Sequence, residues 1–263
     1  MWALSREARL PLNGAHVWYR CTTSCGSSDL AAALAVLSPR ERLRYERFVF
    51  EDDRRDYALA HGLLRQVLSL YDRRPPSAWC FEAVDGRKPL VADGDRCPVS
   101  FNLSHTRGCV ACAVTAAATV GVDVERIDRA TSTLEAAARY FSPCEVAHLG
   151  SLPDSIGPTR LVELWTLKEA YLKAIGMGLA HPLDTFGFDV AHPPALRFEP
   201  PPHTDAAQWH FALFAVGADR RAAVALRRTS EARCEITTID ADAGTILAPI
   251  CESFARTLRQ SSR

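Results

Sequence analysis

One short plan occurs twice in this chain, and it limits the architectures open to it. "LSPRERLRYERF" offers Ser38 as a helix cap, Pro39 in the first turn and Glu41 three residues after the cap. "FSPCEVAHL" repeats this with Ser142, Pro143 and Glu145. A hydroxyl cap, a proline at the helix start and a glutamate closing the box form a strong helix-start signal. Each start precedes a longer helix. In "DRRDYALAHGLLRQVLSLY", residues Tyr57, Ala60, Leu63, Leu64, Val67 and Leu68 fall on one helical stripe. The second long helix is "LVELWTLKEAYLKAI". Each half then reads as strand, turn, strand: "PVSFNLSHTRGCVACAVTA" and "WHFALFAVGADRRAAVALRR". Helix cap, long helix and hairpin in the same order predict two similar α+β halves, joined near residues 115–121. The expected division is 1–117, 118–228 and a C-terminal extension, 229–263, reading as a strand and a polar helix. "AHPPALRFEPPPHTD" reads as a Pro-rich surface excursion.

The 263 residues are 48% hydrophobic, enough for one large domain or two small ones. Lys plus Arg and Asp plus Glu number 31 each, so no global field favours nucleic acid or a membrane, and electrostatic recognition is local. "MWALSREARLPLNG" has no signal-type apolar core, and "LAAALAVL" is too short to span a bilayer. A cytoplasmic, monomeric protein is the expectation. The nine cysteines follow no framework spacing. Cys109 and Cys112 form a C-x-x-C, but within a strand this offset points them to opposite faces, so reduced thiols are favoured over a zinc site.

"LWTLKEAYLKAIGMGL" places charges oddly. Lys168 projects from the middle of the apolar arc, and Glu169 and Lys173 lie together on its edge, one turn apart. A solvated face would put them opposite. "TVGVDVERID" alternates: Val120, Val122 and Val124 point one way, Gly121, Asp123 and Glu125 the other, with the two acids roughly 7 Å apart. That pattern suits a strand with one wet face. It equally suits a hard divalent cation, which prefers carboxylates and leaves positions for phosphate and water. Glu169 is the candidate third acid. In "FNLSHT", Phe101 and Leu103 share one face and Asn102 and Ser104 the other. Ser104 and His105 at the strand end suit phosphate oxygens, though His105 also reads as a satisfied core histidine. Arg42, Arg44, Arg54, Arg55, Arg87 and Lys88 form a basic region before this hairpin, with Lys88 set between Gly86 and Pro89.

"GRKP", "FNLSHT", "GVDVE", "FSPCE" and "LWTLKEAYLKAIGMGL", in this order, resemble the Sfp-type 4′-phosphopantetheinyl transferases from about Ser38 to Phe186. The resemblance implies a pseudo-dimer of two α+β subdomains with the active site in the cleft between them. It implies transfer of phosphopantetheine from coenzyme A to a serine of an apo acyl or peptidyl carrier protein, with Mg²⁺ (or Mn²⁺), releasing adenosine 3′,5′-bisphosphate. By motif position, Asp123, Glu125 and Glu169 hold the metal, and Glu145 is the general base or orients a basic water. Lys173 and His105 contact the pyrophosphate. Lys88, Ser104 and an arginine among Arg44, Arg54 and Arg55 hold the adenosine end and its 3′-phosphate. The family's phosphate-binding arginine often falls one residue after Arg55, where this chain has Asp56, leaving Arg54, Arg55 or His61 as substitutes. Met177 and Leu179 are expected near a carrier dock. The alternatives are a metal-dependent phosphodiesterase using the same acids and a non-catalytic module binding coenzyme A and carriers.

Overall fold

The computed structural model describes residues 9–82, 90–92, 99–116, 119–128, 139–178, 181–228, 230 and 232–253. Lys88, Arg87 and Leu179, and the expected terminal polar helix, lie outside the described residues.

The strands in chain order are β1 (Gly14–Cys21), β2 (Phe81–Glu82), β3 (Leu90–Val91), β4 (Ser100–Thr106), β5 (Cys109–Thr115), β6 (Val120–Arg126), β7 (Gly187–Asp189), β8 (Arg197–Glu199), β9 (Trp209–Val216), β10 (Arg220–Arg227), β11 (Glu235–Asp240), β12 (Ile246–Leu247) and β13 (Cys251–Glu252). The α-helices among the described residues are α1 (Ser27–Val36), α2 (Pro39–Glu46), α3 (Glu51–Tyr71), α4 (Pro143–Gly150) and α5 (Gly157–Ile175).

Alternation along the strands builds four layers. The first sheet runs β12-β11-β1-β5-β4 and the second β13-β9-β10-β6. Val110, Cys112 and Val114 of β5 pack towards Leu63, Leu64, Val67 and Leu68 of α3. The intervening Cys109, Ala111 and Ala113 meet Val120, Val122, Val124, Phe214 and Val224 of the second sheet. The other face of the second sheet, with Phe211, Leu213, Ala223 and Ala225, packs on Leu164, Leu167, Tyr171 and Leu172 of α5. The order is helix, sheet, sheet, helix, an α+β fold. Cys109 and Cys112 do point to opposite faces.

Both capping boxes form. Ser38 Oγ accepts from Glu41 N and Ser142 Oγ from Glu145 N. Each glutamate then meets a buried cation on its long helix. Glu41 bonds Arg65 at 2.5 Å, and Arg65 also donates to the carbonyls of Pro76 and Trp79. Glu145 lies 2.8 Å from Lys168, which donates to the carbonyls of Leu183 and Phe186. The two halves therefore share an internal polar joint as well as an element order.

Two expectations change. The segment after 229 completes both sheets: β11 pairs in parallel with β1, and β13 pairs with β9. The Pro-rich stretch is more than a surface excursion, because Leu196 is buried and Phe198 packs against the core beside it. Its polar and proline-rich composition hides two apolar anchors. Among the described residues no helix is long and apolar enough to cross a membrane.

Candidate active site at the seam between the halves

The edge strands β4 and β6 meet where the two sheets adjoin. An edge strand carries amides that need partners. Here side chains of β4 supply some of them: Val122 N donates to Asn102 Oδ1 at 2.9 Å and Val124 N to Ser104 Oγ at 3.4 Å. The same face of β4 reaches the acids of β6. Ser104 Oγ donates to Asp123 Oδ1 at 2.9 Å, and Thr106 Oγ1 donates to Glu125 Oε2 at 3.0 Å. Asp123 and Glu125 are buried.

Gly121 brings α5 down onto these acids. A Cβ at Gly121 would lie 2.0 Å from the Ala170 carbonyl oxygen and 2.5 Å from Ala174 N. Only glycine on the strand, facing alanines on the helix, permits this approach. The helix then presents Glu169 and Lys173 to β6. Lys173 Nζ donates to Asp123 Oδ1 at 2.6 Å and to Ser104 Oγ at 2.8 Å. Glu169 is pushed up to about 7, first by burial and then by the charges of Asp123 and Glu125, with Lys173 opposing. The helix ends at Gly176, whose φ of 72° suits the left-handed cap.

The donor set fits a hard divalent cation. Glu169 Oε1 and Asp123 Oδ2 are buried without a hydrogen-bond partner. Unpaired buried carboxylate oxygens are costly, and a cation would satisfy both. Among the described residues no three ligating side chains are drawn to coordinating distance. The Lys173 ammonium occupies the position of counter-charge on Asp123.

Other expected residues fall as follows. Ser104 lies with Asp123 and Lys173, so the structure groups it with the acids rather than with the arginines. His105 has an exposed side chain, yet its pKa is lowered, first by burial among its neighbours and then by Lys173. A side chain inside a cleft has both properties. Arg44 sits over the Tyr57 ring at 5.6 Å. Arg54 and Arg55 line a pocket of about 210 Å³ with Leu30, Tyr45, Val49 and Glu51. Arg54 donates to the Phe48 carbonyl, and the Nε of each arginine is buried and unpartnered. Asp56 does not face this pocket's ligand chemistry. It is buried and accepts from Thr22 Oγ1 and Gly108 N. His61 is engaged by Glu41 at 2.8 Å. That bond leads the groups that hold Glu41 down to about 2 against the opposing effect of burial, which is the largest single influence.

Glu145, the expected general base, is enclosed in this geometry. It is 3% exposed, Oε2 takes Ser142 N and Lys168, and Oε1 takes Phe188 N. A sealed carboxylate with both oxygens occupied is poorly placed to accept a proton from a docking serine. Lys168, which projects from the middle of the apolar arc, is 0% exposed; burial pulls its pKa down and Glu145 opposes this. Sequence reading missed Thr106. The signal was present, since an offset of two from Ser104 places it on the same strand face.

Comparison with known proteins finds a family match in each part of the chain. Residues 24–117 match the 4′-phosphopantetheinyl transferase N-terminal family, and residues 119–226 match the 4′-phosphopantetheinyl transferase superfamily. The chain is 39% identical over 169 residues to 4′-phosphopantetheinyl transferase HetI of Nostoc sp. (strain PCC 7120), covering 63% of this chain and 70% of that one. It is 30% identical over 153 residues to 4′-phosphopantetheinyl transferase Sfp of Bacillus subtilis (strain 168), covering 58% and 66%. A solved holo-(acyl-carrier-protein) synthase from Bacillus anthracis str. Ames matches 43% of this chain at 19% identity and a TM-score of 0.34. The two family matches, with 39% identity along 70% of HetI, place this chain in the 4′-phosphopantetheinyl transferase superfamily.

Proposed function

We propose that the chain moves 4′-phosphopantetheine from coenzyme A to a serine hydroxyl of apo acyl and peptidyl carrier proteins. The observation that carries this is the cluster on the seam: Asp123, Glu125 and Glu169 beside Lys173, Ser104 and His105. The acids would hold Mg²⁺, or Mn²⁺ in its place. When bound, the ion neutralises charge on the diphosphate and on the leaving oxygen as the bond to phosphorus breaks.

The protein's own groups do the rest. Asp123 is already fixed by Ser104, and Glu125 by Thr106, so the acids need little reorganisation. Lys173 holds Asp123 in the ligand-free chain and would turn to a phosphoryl oxygen once a cation takes over that carboxylate. His105 can donate a hydrogen bond to the diphosphate. Arg54 and Arg55 retain donor capacity for the 3′-phosphate, with Tyr45 and Leu30 supplying the apolar wall for adenosine. Lys88 joins them by the family resemblance. Glu145 acts as a structural clamp on Lys168, so the serine proton would pass to a water held among the acids at the seam.

The test is to incubate the protein with coenzyme A and apo carriers, with Mg²⁺ or with chelator, and weigh the products. Carrier gaining a phosphopantetheine in the presence of Mg²⁺ supports the reading. Coenzyme A cleaved with no adduct would mean a phosphodiesterase. Binding without turnover would mean a non-catalytic module.

A further inference from the structure

Cys21 ends β1 and lies directly opposite Cys109, the first residue of β5. The next pair along the ladder is Thr22 and Gly108, where Thr22 N donates to the Gly108 carbonyl at 3.0 Å. Opposed residues in an antiparallel ladder alternate between hydrogen-bonded and non-hydrogen-bonded pairs. Cys21 and Cys109 therefore form a non-hydrogen-bonded pair, the closer kind, with Cα atoms about 4.5 Å apart. Cys109 also pairs with Thr106 across the two-residue turn of Arg107 and Gly108, which turns its backbone groups towards β4. That is consistent with the same assignment. A Cα separation of this size falls at the near edge of the range that a disulfide spans.

The surroundings suit thiol chemistry. Cys109 is fully buried and Cys21 is half-buried, so one thiol is open to a small reagent and its partner is shielded. Arg220 comes down beside this turn; its Nη2 would be 2.8 Å from a Cβ on Gly108. The neighbouring Cys109 thiol lowers the Cys21 pKa. Arg220 lowers it further, while burial opposes both. A more exposed thiol, an adjacent cation and a resolving thiol are the elements of a peroxide-sensitive site.

We propose that Cys21 and Cys109 are a thiol-redox site that takes a peroxide and closes reversibly to an intramolecular disulfide. The Cys21 thiolate attacks one peroxide oxygen. The O–O bond breaks, hydroxide leaves and takes up a proton as water, and Cys21 becomes a sulfenic acid. The Cys109 sulfur then attacks the Cys21 sulfur, the S–O bond breaks, and the second water leaves with the Cys109 proton. Two thiols lose two electrons, and one peroxide becomes two waters. The bond joins β1 to β5 beside the turn that carries Thr106, and Thr106 holds Glu125.

The experiment treats the reduced full-length protein with stoichiometric hydrogen peroxide, alkylates the remaining thiols and maps tryptic peptides. Peptide 21–40 carries Cys21 and Cys25, and peptide 108–126 carries Cys109 and Cys112. The expected result is a link between these two peptides, removed by dithiothreitol. It should be lost in Cys21→Ser and retained in Cys25→Ser and Cys112→Ala. Closing a long loop should also raise the melting temperature of the oxidised protein by several degrees, with no rise in Cys21→Ser. A Cys21–Cys25 bond, or oxidation of the exposed Cys80 and Cys144 before any link forms, would overturn the proposal. Cys21 is only half-buried, so its serine variant should fold and keep the comparison valid if Cys109→Ser does not.

Discussion

Glu145→Gln separates a structural clamp from a general base. Lys168 is completely buried, and its only ionic partner among the described residues is Glu145 at 2.8 Å. The amide keeps the shape and still closes the capping box, but it removes the charge. Lys168 would keep the carbonyls of Leu183 and Phe186 and the amide oxygen that caps Ser142 N, but no countercharge, and the amide NH2 would face Phe188 N. Removing one partner of a buried ion pair costs about 3–5 kcal/mol, because the other charge is left uncompensated. For a chain of this size that corresponds to a fall in melting temperature of about 10 °C. Glu145→Gln/Lys168→Met should recover much of the loss, since a well-packed apolar replacement of both partners is often close to neutral. Melting curves of the wild type, both single variants and the double variant give the coupling. Glu41→Gln is the internal control, because Glu41 and Arg65 make the same joint in the other half. An unchanged melting temperature in Glu145→Gln, with kcat lowered ~100-fold and coenzyme A binding intact, would refute the clamp and restore the base.

Glu169→Gln tests the repulsion at the seam. The folded-state pKa near 7 lies above the ordinary glutamate value of 4.5, so the folded chain binds the extra proton and loses stability as pH rises from about 4.5 to 7. Without metal, the variant should be more stable than wild type at pH 8, by about 1–3 kcal/mol after allowing for partial exposure, and equal below about pH 4.5. Urea melts at the two pH values check this, and equal stability at both would contradict it. Gly121→Ala should lower stability by about 1–3 kcal/mol and lower transfer with it, because the new methyl meets the Ala170 carbonyl. A variant with native stability and activity would mean that α5 can lift from β6 at no cost. Arg54→Ala and Arg55→Ala should raise KM for coenzyme A more than for dephospho-coenzyme A, measured with one carrier. Equal effects on both substrates would remove the 3′-phosphate from this pocket.

Periodicity made the fold legible. The stripe of α3, the alternation of β6 and the two Ser-Pro-x-Glu boxes each specify a face, and those faces built the four layers. The acids were legible for the same reason, since an offset of two on a strand fixes their side. Glu145 was harder to place because a capping glutamate has the same local sequence whether its carboxylate also meets a substrate or a buried lysine. Lys168 lay 23 positions later in "LWTLKEAY", and its charge in the apolar arc gave no partner. The contribution of β11 to the first sheet was hidden because a parallel pairing with β1 spans most of the chain and leaves no local signal. The pocket of Arg54 and Arg55 depends on the packing of α1 beside α3, which composition alone does not encode.

The most direct measurement of the seam is Mn²⁺ titration followed by electron paramagnetic resonance, with coenzyme A present, in wild type, Asp123→Asn and Glu145→Gln. If the acids of β6 and α5 form the metal site, wild type and Glu145→Gln each bind one tight Mn²⁺ per folded chain and Asp123→Asn loses it. Loss of the ion in folded Glu145→Gln, with retention in Asp123→Asn, would move the metal away from the seam and contradict the assignment.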